Sequence, residues 1–303
     1  MRHATKQKTV SLVLGSGGAR GLTHIGVIKW LSENNYVIQS IAGASIGALI
    51  GGIHASGQLE VYKNWVSALE KKDVIRLLDI SFARKSLFKG DRIIEVLREM
   101  IGDFEIEKLP ISYTAVATDM HAQREVWLNK GSLFDAIRAS IAIPSIFSPY
   151  EYQGKVFLDG SLVNPIPIAP TLNDKTDLTI VVNLNGKVQA HSSANTSVLR
   201  DFTNSSDAVL SQKRYHQRIV GFINSISLNH KNSTVKDISM LEIIAKSMDT
   251  MQSKIARFQL AAYSPDAIVT IPVDVCSFYE FYRAKELIDI GYQSAKSQLS
   301  LLK

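Results

Sequence analysis

Along most of the chain, apolar residues follow two periods that alternate, one suited to strands and one to helices. Thr9–Leu14 is a short β-rich run closed by Gly15-Ser16-Gly17-Gly18. From Ala19 to about Asn34 the spacing turns helical, with Leu22, Ile25, Ile28 and Leu31 near one face. Val37–Ala42 is a second apolar run, ended by Gly43. Ser45 to His54 is a run of small or apolar residues that predicts a tightly buried helix, with Gly57 as its stop. Val61–Leu69 and Asp91–Ile101 read as amphipathic helices, separated by the apolar and basic linker Ile80–Gly90. Ile111–Thr118, Val126–Leu128 and Lys155–Leu158 read as strands, the last closed by the Asp159-Gly160 turn. Leu133–Ser140 is a helix pattern whose extension stops at Pro144, and Leu178–Leu184 is a further strand.

Residues 186–207 are polar and rich in Ser, Asn and Thr, which predicts a surface loop. Helix patterns follow at 207–227 and 239–262, then a late strand at Ala267–Pro272 and a closing helix at Phe281–Leu302. Met240, Met248 and Met251 are expected to fill a helical core. No repeat or heptad intervenes. Alternating strands and helices predict a mostly parallel sheet with helices on both faces, a three-layer α/β/α sandwich. Residues 9–185 form its core, and the helical part at 186–303 packs on the same domain.

Composition narrows the classes. The chain has 303 residues, 46% hydrophobic and 20% charged, enough for one large α/β domain or two small ones. A single cysteine, Cys276, excludes a disulfide within the chain and argues against a cysteine metal site. No stretch approaches the ~20 apolar residues of a membrane span. Val10–Leu14 is shorter than the roughly 7–15 residues of a secretory apolar segment. A cytoplasmic place is expected, with contact at the inner membrane surface allowed. The net charge of +6 suits an anionic membrane surface. The basic residues are scattered and not interleaved with aromatics, which argues against nucleic acid.

Three segments carry candidate chemistry. Gly43-Ala44-Ser45-Ile46-Gly47 matches G-x-S-x-G, in which a serine sits on a sharp strand-to-helix turn. Side chains at Gly43 or Gly47 would clash, and the helix that starts there aims its positive end at the reacting atom. Gly15 to Gly21 is a glycine-rich loop at a helix start, whose bare N–H groups suit an anion. A dinucleotide loop fits poorly, because G-x-G-x-x-G from Gly15 would need a small residue at Arg20, and no acidic residue ends the next strand. A serine nucleophile also needs a base. None of the seven histidines has a local signature. Asp159, in Asp159-Gly160, and Asp119, at the end of another strand, are the candidate acids. Asp119 also fits a turn-capping role.

This order of motifs resembles the patatin-like phospholipase family: a glycine-rich loop with arginine, G-x-S-x-G in the next βα unit, then Asp-Gly after a strand. The likeness is densest over Ser11–Gly57 and Ala139–Pro167. The C-terminal half is similar to the bacterial branch that groups with neuropathy-target-esterase domains. The resemblance implies a patatin-like fold and a Ser–Asp dyad without histidine, on Ser45 and Asp159. It puts the oxyanion loop on Ser16–Gly21, with Gly17, Gly18 and Ala19 as N–H donors and Arg20 holding the loop. Gly43, Gly47 and Gly160 support the turns. The family needs no metal or cofactor for hydrolysis. Ser16 and Ser161 depart from its pattern, where the family has glycine, and glycine or alanine.

An acyl substrate needs an apolar channel. Ile141, Ile143, Ile146 and Phe147 precede the Asp159 strand and are candidates to line it. Phe82, Leu87 and Phe88, beside Arg84, Lys85, Lys89 and Arg92, suit either a flap at an anionic bilayer or an ordinary loop that packs its aromatics inward. The resulting expectation is a serine hydrolase of phospholipid or lysophospholipid esters acting through an acyl-enzyme. A non-catalytic lipid-binding or regulatory module of the same fold is the rival.

Overall fold

The computed structural model describes residues 7–77, 90–144, 146–187, 240–300 and 302. Residues 80–89 of the linker, with its candidate flap residues Phe82, Leu87 and Phe88, lie outside the described residues. So do nearly all of the polar stretch 186–207 and the helix pattern at 207–227. Strands β1 (Lys8–Leu14), β2 (Tyr36–Ala44), β3 (Ser112–Asp119), β4 (Arg124–Leu128), β5 (Tyr150–Tyr152), β6 (Lys155–Asp159), β7 (Leu178–Gly186) and β8 (Ala267–Pro272) form one sheet. Helices are α1 (Thr23–Glu33), α2 (Ile46–Ala55), α3 (Leu59–Ala68), α4 (Lys71–Leu77), α5 (Asp91–Ile101), α6 (Leu133–Ser140), α7 (Met240–Tyr263) and α8 (Ala284–Leu299). The strands are hydrogen-bonded in the order β5-β6-β3-β2-β1-β7-β8, with β4 also on β3. The pairs β3–β2, β2–β1, β1–β7 and β7–β8 are parallel, and β4, β5 and β6 add an antiparallel end. The mostly parallel α/β architecture, with its helical C-terminal region, is the one expected.

Alternation along the central strands builds a layer on each face. Val10, Leu12 and Leu14 of β1 join Ile180, Val182 and Leu184 of β7 in the larger core, with residues of α1, α2, α6 and α8. Val13 and Val181 point the other way, onto Ile166, Ile168 and Ala256 of α7. The period predicts α7 well but not its inward face. Met251 is 54% exposed, and Gln252, about 100° further round the helix, is buried instead. The short elements α4 and β5 were not expected, since three to seven residues carry too little periodicity.

The register of β3 sets up the centre of the molecule. β4 and β6 both pair with Ala117–Asp119, so they occupy opposite edges of β3. β2 shares Ala115 and Val116 with β4 and therefore lies on the edge that β6 uses. Along that edge β2 ends at Ala44, opposite Val116, and β6 takes over with Asp159 opposite Ala117. The residues that follow β2 and end β6 thus meet at one point, although 114 positions separate them.

The closing helix fixes the start of α1. A Cβ on Gly26 would lie 1.9 Å from the Ile288 carbonyl oxygen, and one on Gly291 would lie 1.9 Å from that of Thr23. The two backbones are in direct contact, so a methyl group at either position forces the helices apart. We expect Gly26→Ala and Gly291→Ala each to destabilise the protein by about 1–3 kcal/mol. A urea titration checks this: the midpoint falls and the slope stays constant.

Candidate active site

β2 turns into α2 through Ser45, whose backbone sits at φ 57°, ψ −125°. A non-glycine residue rarely adopts that region, at a cost of about 1–3 kcal/mol, and the surroundings impose it. A Cβ on Gly47 would lie 2.1 Å from the Leu14 carbonyl oxygen, and one on Gly43 would lie 2.5 Å from that of Gly47. Only bare backbone lets the turn close this tightly. The Ser45 N–H donates to Ser140 Oγ at 2.9 Å, and Ser140 Oγ donates to the Val116 carbonyl at 2.6 Å. The turn is therefore fastened to β3 where β2 leaves it.

Asp159 arrives on the same edge. Its N–H donates to the Ala142 carbonyl at 2.9 Å, and its carbonyl accepts from Thr118 Oγ1 at 2.8 Å. Gly160 lies so close to β3 that a Cβ would sit 1.9 Å from the Val116 carbonyl oxygen. Ser45 Oγ donates to Asp159 Oδ2 at 2.6 Å, a short charge-assisted contact, and the Ser161 N–H donates to Oδ1 at 2.8 Å. Asp159 is completely buried and Ser45 is 5% exposed. Burial raises the Asp159 carboxyl to about 6, and the Ser161 hydroxyl, Ser45 and the Ser161 N–H act against that rise.

The glycine-rich loop lies beside this pair. It opens as a tight 3-10 turn over Gly18–Leu22, so the α-helical part of the predicted first helix starts only at Thr23. Gly18 has φ 56°, and a Cβ there would lie 2.5 Å from the Phe278 ring. Of the three expected donors, Ala19 is corrected: its N–H donates to the Phe278 carbonyl at 2.9 Å. The Ser16 N–H is likewise taken, by the Pro165 carbonyl at 3.0 Å. The Gly17 and Gly18 N–H groups have no partner among the described residues, and Gly18 lines the same cavity as Ser45. Arg20, 2% exposed, pairs with Asp249 of α7 at 2.7 Å and donates to the Val273 carbonyl at 3.2 Å.

Among the described residues no histidine is bonded to Ser45 or Asp159. His24 sits behind the loop and donates from Nε2 to the Gly15 carbonyl at 2.8 Å; burial holds it neutral, with a pKa of about 4. Asp119 caps its own turn, accepting from the His121 and Ala122 N–H groups at 3.1 and 2.9 Å. Those bonds, the Ala122 one foremost, lower its pKa.

The cavity in front of Ser45 is apolar. Ile141, Ile143, Ile146 and Phe147 line it, as expected. Two further walls were not read from the sequence. Tyr62, Trp65 and Val66 of α3 form one, and Phe278, Tyr279 and Phe281 form the other. The aromatic run Ser277-Phe278-Tyr279-Glu280-Phe281-Tyr282 was the available signal.

The fold and this site define an α/β protein built around a serine–carboxylate pair where a parallel sheet changes partners. The family model for patatin-like phospholipase matches residues 12–172. An NTE family protein of Mycobacterium bovis is 35% identical over 327 residues, covering 96% of this chain and 91% of its own length. The chain belongs to the patatin-like phospholipase family, and membership supports a hydrolase of lipid esters as its general class. The neuropathy target esterase sws of Drosophila persimilis is 33% identical over 166 residues, which are 52% of this chain and 12% of that protein. Among solved structures, VipD from Legionella pneumophila aligns with a TM-score of 0.44 and 15% identity, over 97% of this chain and 68% of that one.

The raised Asp159 pKa is also a statement about stability. Well below pH 4 the carboxyl is neutral in both folded and unfolded chains. As pH rises through about 6 the unfolded chain gains from ionising first, so stability is lost. His24 acts the opposite way, with its contribution lost as pH falls through about 4. Comparing variant with wild type isolates Asp159. We expect Asp159→Asn to match wild-type stability well below pH 4 and to exceed it by on the order of 1–3 kcal/mol above pH 7. Paired denaturant titrations across that range measure the difference.

Proposed function

We propose that the protein is a serine acyl-ester hydrolase in which Ser45 is the nucleophile and Asp159 its base, acting on phospholipid or lysophospholipid. The observation that carries this reading is the 2.6 Å hydrogen bond from Ser45 Oγ to a buried carboxylate, with Ser45 lining an apolar cavity. Asp159 takes the Ser45 proton as Oγ attacks the ester carbonyl carbon. The oxyanion that forms is received by the N–H groups of Gly17 and Gly18, donors that contribute on the order of 3–4 kcal/mol in comparable sites. Asp159 then returns the proton to the leaving alcohol, and an acyl group remains on Ser45. Water then attacks the acyl carbon as Asp159 takes its proton, the Ser45 Oγ–acyl bond breaks, and Asp159 returns that proton to Oγ as the fatty acid leaves.

The cavity supports an acyl chain as the part of the substrate that is bound. Its walls are aliphatic and aromatic side chains from α3, from residues 141–147 and from residues 278–281. Two glycines with unclaimed amides in place of three leave a smaller oxyanion cradle than the family pattern implies. Among the described residues no helix is long and apolar enough to cross a membrane. The net charge of +6 favours peripheral contact with an anionic bilayer as the route to lipid.

Ser45→Ala and Asp159→Asn are each expected to lower kcat/KM for a short-chain nitrophenyl ester by at least ~10³-fold with the fold intact. Wild-type kcat/KM should rise with pH through about 6, where Asp159 loses its proton, and then level. A non-catalytic lipid-binding module would instead leave wild-type protein without turnover of any ester while still taking up lipid.

A further inference from the structure

The inward face of α7 carries polar residues where a core helix ordinarily carries apolar ones. Asp249, Gln252, Ala256 and Gln259 recur at helical spacing on one side. Ala256 packs against the sheet, while the other three reach loops around the site. Asp249 holds Arg20, and Gln259 donates to Asn164 at 2.6 Å. Gln252, 8% exposed, spans two separate motifs. Its Oε1 accepts from Ser16 Oγ at 3.2 Å, and its Nε2 donates to Ser161 Oγ at 2.9 Å.

Ser16 and Ser161 are the two positions where the chain departs from the glycine, and the glycine or alanine, of the family pattern. Both are buried, at 1% and 2% exposure. Ser16 directly precedes the two unclaimed amides, Gly17 and Gly18. Ser161 lies two residues after Asp159 and already donates its N–H to that carboxylate. Glycine at position 16 and alanine at position 161 would leave both ends of a buried amide unpaired, each end costing about 1–3 kcal/mol. The three residues therefore form one set. The direction of the bonds matters as much as their presence. The Ser161 oxygen receives the Gln252 proton, so the hydroxyl keeps its own proton to donate, and the Ser161 hydroxyl stabilises the charged form of Asp159.

We propose that Gln252 is a positioning residue that ties the amide loop at Ser16–Gly18, through the hydroxyls of Ser16 and Ser161, to the turn whose Ser161 N–H holds the Asp159 carboxylate. It touches no reacting atom. It fixes the distance between the oxyanion donors and Ser161, whose N–H holds Asp159 Oδ1 at 2.8 Å. This inference rests on the Ser45–Asp159 reading of the site.

The test is the pH profile of ester turnover in Gln252→Met, Ser161→Ala and the double variant, with circular dichroism to establish folding and Asp159→Asn as control. Each single variant should move the acidic limb of kcat/KM to higher pH, because Asp159 loses the Ser161 hydroxyl in Ser161→Ala and the fixed placement of Ser161 in Gln252→Met. Each should also lower kcat by about 3- to 10-fold, the rate equivalent of one hydrogen bond, with KM unchanged. The double variant should shift the limb no further than Ser161→Ala alone, since Gln252 acts through that hydroxyl. A residue that only supports the fold would lower stability and leave the limb in place. An unmoved limb in the folded single variants overturns the proposal, and so do shifts that add in the double variant. If Gln252→Met does not fold, the limb in Ser161→Ala decides alone. Full activity in Asp159→Asn would instead remove the dyad reading and this inference with it. An inactive Asp159→Asn together with an unmoved limb removes this inference only.

Discussion

A single hydrogen bond, from Ser45 Oγ to the Asp159 carboxylate, sets the requirements that the surrounding structure meets. It joins the end of one strand to a turn after another, and both must sit in low dielectric. β3 makes this possible by changing partners along one edge, from β2 at Val116 to β6 at Ala117. Close backbone contacts at Gly43, Gly47 and Gly160 then bring the two chain ends together. Ser140, Thr118 and the Ala142 carbonyl pin them there. None of these groups has chemistry of its own, yet each removes a degree of freedom from the pair.

The site is assembled against local stability. Ser45 occupies a disfavoured backbone region, and Asp159 is taken wholly out of water. Both features are ordinarily selected against, and their coexistence beside an apolar cavity points to function and not to packing. The C-terminal part offsets them. α8 packs on α1 just after the glycine loop, and α7 bonds to Arg20, Ser16, Ser161 and Asn164. Residues from Asp249 onward therefore complete the site, although the family match ends at residue 172.

Much of this was legible in the sequence, for physical reasons. Strands buried on both faces read as short apolar runs, and a G-x-S-x-G turn needs its glycines for steric reasons that any structure shares. The parallel architecture, Ser45, Asp159 and the isoleucines of the cavity followed from local pattern and resemblance. The misses are of another kind. That Ala19 spends its N–H on Phe278 depends on a carbonyl more than 250 positions away. The aromatic wall at 278–281 lies at and before the start expected for the closing helix, where periodicity says nothing about what the rings face. Met251, expected in a core, faces outward and Gln252 inward, because hydrophobicity assigned the inward face, whereas hydrogen bonding set it. Local spacing reports the elements well, but long-range polar pairing only appears once the elements are packed.

The most direct measurement is intact-mass analysis of the wild-type protein and Asp159→Asn after timed exposure to a fluorophosphonate, followed by peptide mapping. The account predicts one adduct per wild-type chain, located on Ser45, formed far faster than in Asp159→Asn. No adduct, an adduct on another residue, or equal labelling rates in the two proteins would contradict it.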